Sequence, residues 1–236
     1  MNFETPLSGG LLIIGSLLWD DHETRVSLRN DSLLMDKATS VPAPIRYGRK
    51  SEKRNTYTMV ISSDCKSDEK IGMGSLIPFR NNIGNSTELD RVTTCIINAE
   101  HKEIKSLNSY NWGWGCLALL TNPSKSNNQN VKQLIEFWSS KFSNGFNPSD
   151  YVVTDEPSLI SKQGQLFIDW KDEYGDLDFI VLTATKPTNP VPTALILSES
   201  FEMDNAYFNG NRNNNIQTYQ DDEIINFLNT AHEEKS

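Results

Sequence analysis

The chain has little cysteine, little positive charge and no long apolar run, and each shortage removes a class of protein. Three Cys in 236 residues, with no CxxC pair and no His or Cys at ligand spacing beside them, exclude a disulfide framework and a zinc module. A reducing, cytoplasmic setting is the expectation. The three His lie far apart and none sits in an HxH or HxxxH pattern, so no metal site is expected. Lys and Arg number 22 against 31 Asp and Glu, a net charge of −9 that argues against general binding to nucleic acid or an anionic membrane face. The apolar run over residues 11–19 spans nine positions, and nothing else approaches the roughly 20 residues of a membrane helix. No basic segment precedes it, as one would in a signal peptide.

What is present suffices for a core. The apolar fraction is 37%, with five Trp, ten Phe and seven Tyr, which excludes a wholly disordered chain. Along the chain, residues 11–19 read as a buried strand that breaks into a turn at Gly15-Ser16, flanked by Gly9-Gly10 and Asp20-Asp21. Residues 41–44, with Pro42 and Pro44, must be extended. Residues 56–62 alternate and are β-branched, a strand expected to pair with 73–78. Residues 88–107 have the clearest helical period, with Asn85, Ser86 and Thr87 offering an N-cap. Residues 110–120 read as a strand and 130–142 as a helix, with a loop through Gly145 and Pro148; short strands are expected at 151–153, 166–170 and 179–185. Two helices, 193–207 and 221–231, flank an Asn-rich loop at 209–215. The order predicts an α+β fold, a mixed, mostly antiparallel sheet or small barrel with flanking helices. Residues 1–187 would form one catalytic or binding domain and 188–236 a C-terminal helical extension packed on it.

Three features can carry chemistry. On a wheel of about 100° per residue, Leu89, Val92, Ile96, Ile97, Ile104 and Leu107 form one stripe, and Glu100 falls near its centre. A carboxyl facing a core is desolvated, its pKa rises, and it becomes a proton carrier; otherwise it sits at the helix margin or pairs with Arg46 or Arg49. The turn Gly15, Ser16, Leu17 leaves a buried strand and can aim backbone N–H groups at a carboxylate, a phosphate or a developing oxyanion. It can equally be a bulge. Residues 45–54 carry five basic side chains against one acidic, the densest charge in the chain. Arg46 and Arg49, with Tyr47 between them, can clamp a small anion, or the segment is a solvated basic loop.

The turn Gly15-Ser16-Leu17 after an apolar strand resembles the opening of γ-glutamylcyclotransferase-like proteins, whose first strand ends Tyr-Gly-Ser-Leu. The later order is also similar: a basic and aromatic segment, paired strands with Gly74 and Pro78 in a Gly-x-x-x-Pro ending, then a helical segment with a carboxylate. The likeness spans about residues 11–120. Ile14 stands where the family has Tyr, and Leu89-Asp90 is followed by Thr93 where the family's Leu-Asp-x-x-Glu-Gly places its Glu. Glu100 is then the carboxylate that offers itself, by its place on the stripe.

The resemblance implies cyclisation of a γ-glutamyl amine or peptide to 5-oxoproline. Gly15, Ser16 and Leu17 would hold the substrate's α-carboxylate, Glu100 would serve as general base, and no cofactor is required. Two other readings stay open. One is a binding or scaffold protein that uses the 46–54 segment; the other is an enzyme acting on a small phosphorylated ligand.

Overall fold

The computed structural model describes residues 1–52, 54–100, 109–142, 146–153, 157–188, 190–203 and 205–233. Strand β1 (Asn2–Leu7) is followed by β2 (Gly9–Ile13), in which every residue is buried. Helix α1 (Glu23–Ser32) leads to β3 (Thr39–Ala43), and β4 (Ile45–Ser51) and β5 (Thr56–Ile61) form a hairpin. Then come β6 (Gly72–Pro78), β7 (Ile83–Asn85) and helix α2 (Ser86–Glu100). The chain continues through β8 (Asn111–Trp112), β9 (Gly115–Thr121), α3 (Gln129–Ser140) and β10 (Phe179–Thr185). It ends in α4 (Ala194–Met203), α5 (Ala206–Asn213) and α6 (Asp221–Glu233).

Six strands form the main sheet in the order β3-β6-β2-β10-β9-β8. Within it β2 and β10 run parallel, and the other strand pairs described are antiparallel. The fold is therefore α+β with a mixed, mostly antiparallel sheet, and it does not close into a barrel. The two central strands, Gly-Gly-Leu-Leu-Ile and Phe-Ile-Val-Leu-Thr-Ala-Thr, are apolar on both faces because both faces are covered. Helix α2 buries Leu89, Val92, Ile96 and Ile97. Helix α3 is capped by Asn128, whose Oδ1 accepts from Asn130 N–H, and buries Val131, Leu134 and Trp138.

The expected partner of residues 56–62 is corrected. Strand β5 pairs with β4, not with β6, which lies between β2 and β3. The basic segment, which the sequence leaves open as an anion clamp or a solvated loop, contains a strand, Ile45–Ser51, whose first four residues are all buried. Its Arg46 is 2% exposed and has its hydrogen bonds made internally: Nε donates to Ser62 Oγ (3.1 Å), Nη1 to the Tyr47 carbonyl (3.1 Å). Asp64 lies 3.4 Å from Nε.

Other expectations change as well. Residues 148–151 form a 3-10 turn (Pro148–Tyr151), and 165–166 make only isolated bridges. The strand expected over 110–120 is the hairpin β8–β9. Part of the Asn-rich tract belongs to α5. Ile104, Leu107 and Gly145 lie outside the described residues.

Strand β1 and helix α1 have no counterpart in the sequence pattern. Helix α1 escapes notice because its inward stripe, Arg25, Leu28, Arg29 and Ser32, is half arginine. Those arginines satisfy buried carbonyls: Arg25 Nε donates to Ala99 O (3.0 Å), and Arg29 donates to Leu17 O (2.7 Å) and Asp20 O (3.0 Å). The C-terminal helices pack on the β4–β5 hairpin. Tyr47 meets Phe201 edge to face at 5.1 Å, and Phe201 stacks on Phe208 at 4.7 Å.

Candidate functional site

A cavity of about 800 Å³ opens where the end of β2, the end of α2, the β4–β5 hairpin and α5 meet. Its wall includes Gly15, Ser16, Leu17, Arg49 and Glu100, five of the seven residues singled out in the sequence. Arg46 and Tyr47 lie elsewhere. Arg46 is buried under the hairpin, and Tyr47 packs on Phe201 while its N–H donates to Gln220 Oε1 (2.9 Å). The pairing along the hairpin is irregular between Tyr47 and Arg49. Tyr47 pairs with Met59 and Arg49 with Thr58, so Gly48 is an extra residue, a β-bulge. A Cβ on Gly48 would lie 2.5 Å from Arg46 Nη1 and 2.6 Å from Val60 Cγ2, so glycine lets the arginine pass beneath. Past the bulge, the strand passes from buried Arg46 and Tyr47 to cavity-lining Arg49.

Glu100, the last described residue of α2, has a mostly buried side chain, 15% exposed. Thr183 on β10 donates its hydroxyl to Glu100 Oε1 (2.9 Å), and Arg25 Nη2 stands 3.7 Å from Oε2. The partner of Glu100 is therefore Arg25, not Arg46 or Arg49. Burial raises the Glu100 carboxyl above the ordinary glutamate value; Arg25, the Thr183 hydroxyl and Arg49 oppose the rise without cancelling it.

At the turn, Leu18 N–H donates to Gly15 O and Asp20 N–H to Ser16 O. The N–H groups of Gly15, Ser16 and Leu17 meet no acceptor among the described residues. Ser16 Oγ accepts from Arg25 Nη1 at 2.6 Å. Tyr207 of α5 presses on the turn, so that a Cβ on Gly15 would lie 2.7 Å from its hydroxyl oxygen. That oxygen accepts from Met59 N–H (3.2 Å), and burial raises the phenol pKa despite this bond.

Asp20 collects the remaining charge, accepting from Arg54 and standing 3.2 Å from Arg25 Nη1. Burial works to raise its carboxyl, but the His22 N–H and the charges of Arg25 and Arg54 together hold it below the ordinary aspartate value. Arg49 differs from both of the other arginines. Its guanidinium lies 4.5 Å over the Trp114 ring and donates to the Trp114 carbonyl (3.2 Å), with no carboxylate in ion-pair range among the described residues. Burial lowers its pKa, while Glu100 and Glu52 act in the other direction.

The arrangement offers a proton acceptor, a turn with free donors and a cation, all on one cavity. Among the described residues, no cluster of three His, Cys, Asp or Glu side chains could hold a metal ion, and no helix is long and apolar enough to cross a membrane. Arg25, Asp20, Thr183 and Tyr207 were not singled out from sequence. Arg25 had a signal available, its i, i+4 spacing with Arg29, but Tyr207 and Thr183 carry none. The chain matches no protein-family model, no curated protein and no solved structure.

Proposed function

We propose that the chain is a γ-glutamylcyclotransferase-like enzyme of the cytoplasm, which cyclises a γ-glutamyl amine or peptide to 5-oxoproline with Glu100 as general base. One observation carries this reading: a carboxyl whose pKa burial has raised shares a cavity with a turn whose three N–H groups meet no acceptor among the described residues. The free donors suit the substrate's α-carboxylate. Glu100 takes a proton from the α-amino group, whose nitrogen attacks the γ-carbonyl carbon. The new C–N bond closes a five-membered lactam, the γ-amide C–N bond breaks, and the proton held by Glu100 passes to the departing amine. Tethering of the reacting atoms supplies much of the rate, so the protein's part is orientation and proton transfer.

The test is release of 5-oxoproline from γ-glutamyl amines and dipeptides, followed by mass spectrometry. Glu100→Gln keeps an acceptor for Thr183 and is expected to fold while losing roughly 10²–10⁴-fold in turnover. Full residual activity in this variant overturns the reading. Arg49, a half-buried cation with no carboxylate in ion-pair range among the described residues, favours a second reading, a small anionic or phosphorylated ligand bound in the same cavity. Stabilisation by nucleotides or sugar phosphates, with none by γ-glutamyl compounds, would select it.

A further inference from the structure

Arg25 reaches both halves of the site with one guanidinium. Its Nη1 donates to Ser16 Oγ in the turn (2.6 Å), and its Nε donates to the Ala99 carbonyl at the end of α2 (3.0 Å). Nη2 stands 3.7 Å from Glu100 Oε2 and Nη1 3.2 Å from Asp20 Oδ2. Among the described residues, no other side chain hydrogen-bonds both the 15–17 turn and the end of α2. We propose that Arg25 is the positioning residue of this site, setting the distance and orientation of the Glu100 carboxylate against the turn that receives substrate. Its chemistry rests on the cyclotransferase reading; its placement rests on the geometry alone.

The guanidinium suits the task because it is planar and donates in fixed directions, so contacts to Ser16, Ala99 and Glu100 are made by one rigid group. A lysine ammonium can supply the charge but not the fork. The groups facing Glu100 come from five elements. They are Arg25 on α1, Asp20 after β2, Arg49 on β4, the Thr183 hydroxyl on β10 and Tyr207 on α5. Among them Arg25 contributes most to keeping the carboxyl ionised. Without it the carboxyl holds its proton to higher pH, and the base is missing over a wider range.

The experiment follows the Glu100 carboxyl by NMR in protein carrying ¹³C at the glutamate side-chain carboxyl carbon, assigned with Glu100→Gln, in the full chain, Arg25→Gln and Arg25→Lys. Arg25→Gln is expected to titrate about one pH unit or more above the unsubstituted protein. Arg25→Lys is expected to restore most of that shift, yet to move the Ser16 and Leu17 amide resonances. With a γ-glutamyl substrate, both variants are expected to lose roughly tenfold or more in kcat with KM little changed. For Arg25→Gln the acid limb of the rate profile also moves upward. An unchanged Glu100 titration in folded Arg25→Gln overturns the proposal. If Arg25→Gln does not fold, Arg25→Lys decides, and unchanged turn resonances overturn it. If the unsubstituted protein forms no 5-oxoproline, the cyclotransferase reading falls while the titration and the resonances still decide whether Arg25 positions Glu100.

Discussion

Arg25 and Arg49 face the same cavity and are held there in opposite ways. Arg25 has two carboxylates, a hydroxyl and a carbonyl within reach, so its charge is spent on the fold. Arg49 lies on an indole ring with one carbonyl bond and no carboxylate partner among the described residues. A buried cation that the protein itself neutralises is architecture; one that is only shelved on an aromatic ring has its charge left for a ligand.

The largest expected effect breaks the first half of this comparison. Arg25→Ala leaves Glu100 buried without its nearest cation and removes the tie from α1 to the turn and to α2. Loss of one partner from a buried ion pair costs about 3 kcal/mol, or roughly 6–12 °C in Tm for a chain of this size. Arg49→Ala is expected to change stability by less than about 1 kcal/mol, since the lost stacking is offset by removal of a half-buried charge. Its effect falls on binding, where loss of one charged hydrogen bond weakens an anionic ligand roughly ten- to a hundredfold. Urea unfolding and ligand titration of both variants check the pair; equal stability losses would erase the distinction.

Those two arginines also mark what the sequence could and could not convey. Helix α2 is legible because its buried stripe is apolar at helical spacing, and the same stripe brings out Glu100. Helix α1 uses Arg25 and Arg29 at two of its four inward positions, so a hydrophobic pattern does not register it. Residues 45–51 hide a strand for a related reason: the buried charge of Arg46 is satisfied by Ser62, Asp64 and a backbone carbonyl, and pattern alone leaves the segment open as an anion clamp or a solvated loop. That Arg46 is buried while Arg49 lines the cavity depends on what packs along the hairpin, which one strand's sequence does not contain. Tyr207 reaches the cavity from a helix in an Asn-rich tract, through contacts across more than half the chain.

A smaller effect sharpens the comparison at the turn. A methyl group on Gly15 would stand 2.7 Å from the Tyr207 hydroxyl oxygen, which Met59 N–H holds in place. Gly15→Ala is expected to cost about 1–3 kcal/mol as the phenol shifts. Adding Tyr207→Phe removes the oxygen that clashes, so the double variant should be more stable than the sum of the two single losses. A double-mutant cycle in urea measures this coupling, and strict additivity would separate Tyr207 from the turn.

The smallest effect concerns pH, where Glu100 and Asp20 are expected to act with opposite sign. The folded Glu100 carboxyl sits above its unfolded value, so its contribution favours the fold at pH below the unfolded value and is lost as pH rises through the folded one. Asp20 sits below its unfolded value, so its contribution is present above that value and is lost as pH falls through the folded one. Replacing Glu100 by Gln removes the first dependence and leaves the second. The stability of Glu100→Gln relative to the unsubstituted protein should therefore improve as pH rises from the acid range toward neutrality. Asp20→Asn should show the reverse trend, its relative stability falling over the same interval. Urea midpoints taken at several pH values give both slopes. Parallel slopes for the two variants would mean that Arg25 does not discriminate between the carboxylates it joins, and that the cavity treats its acidic groups alike.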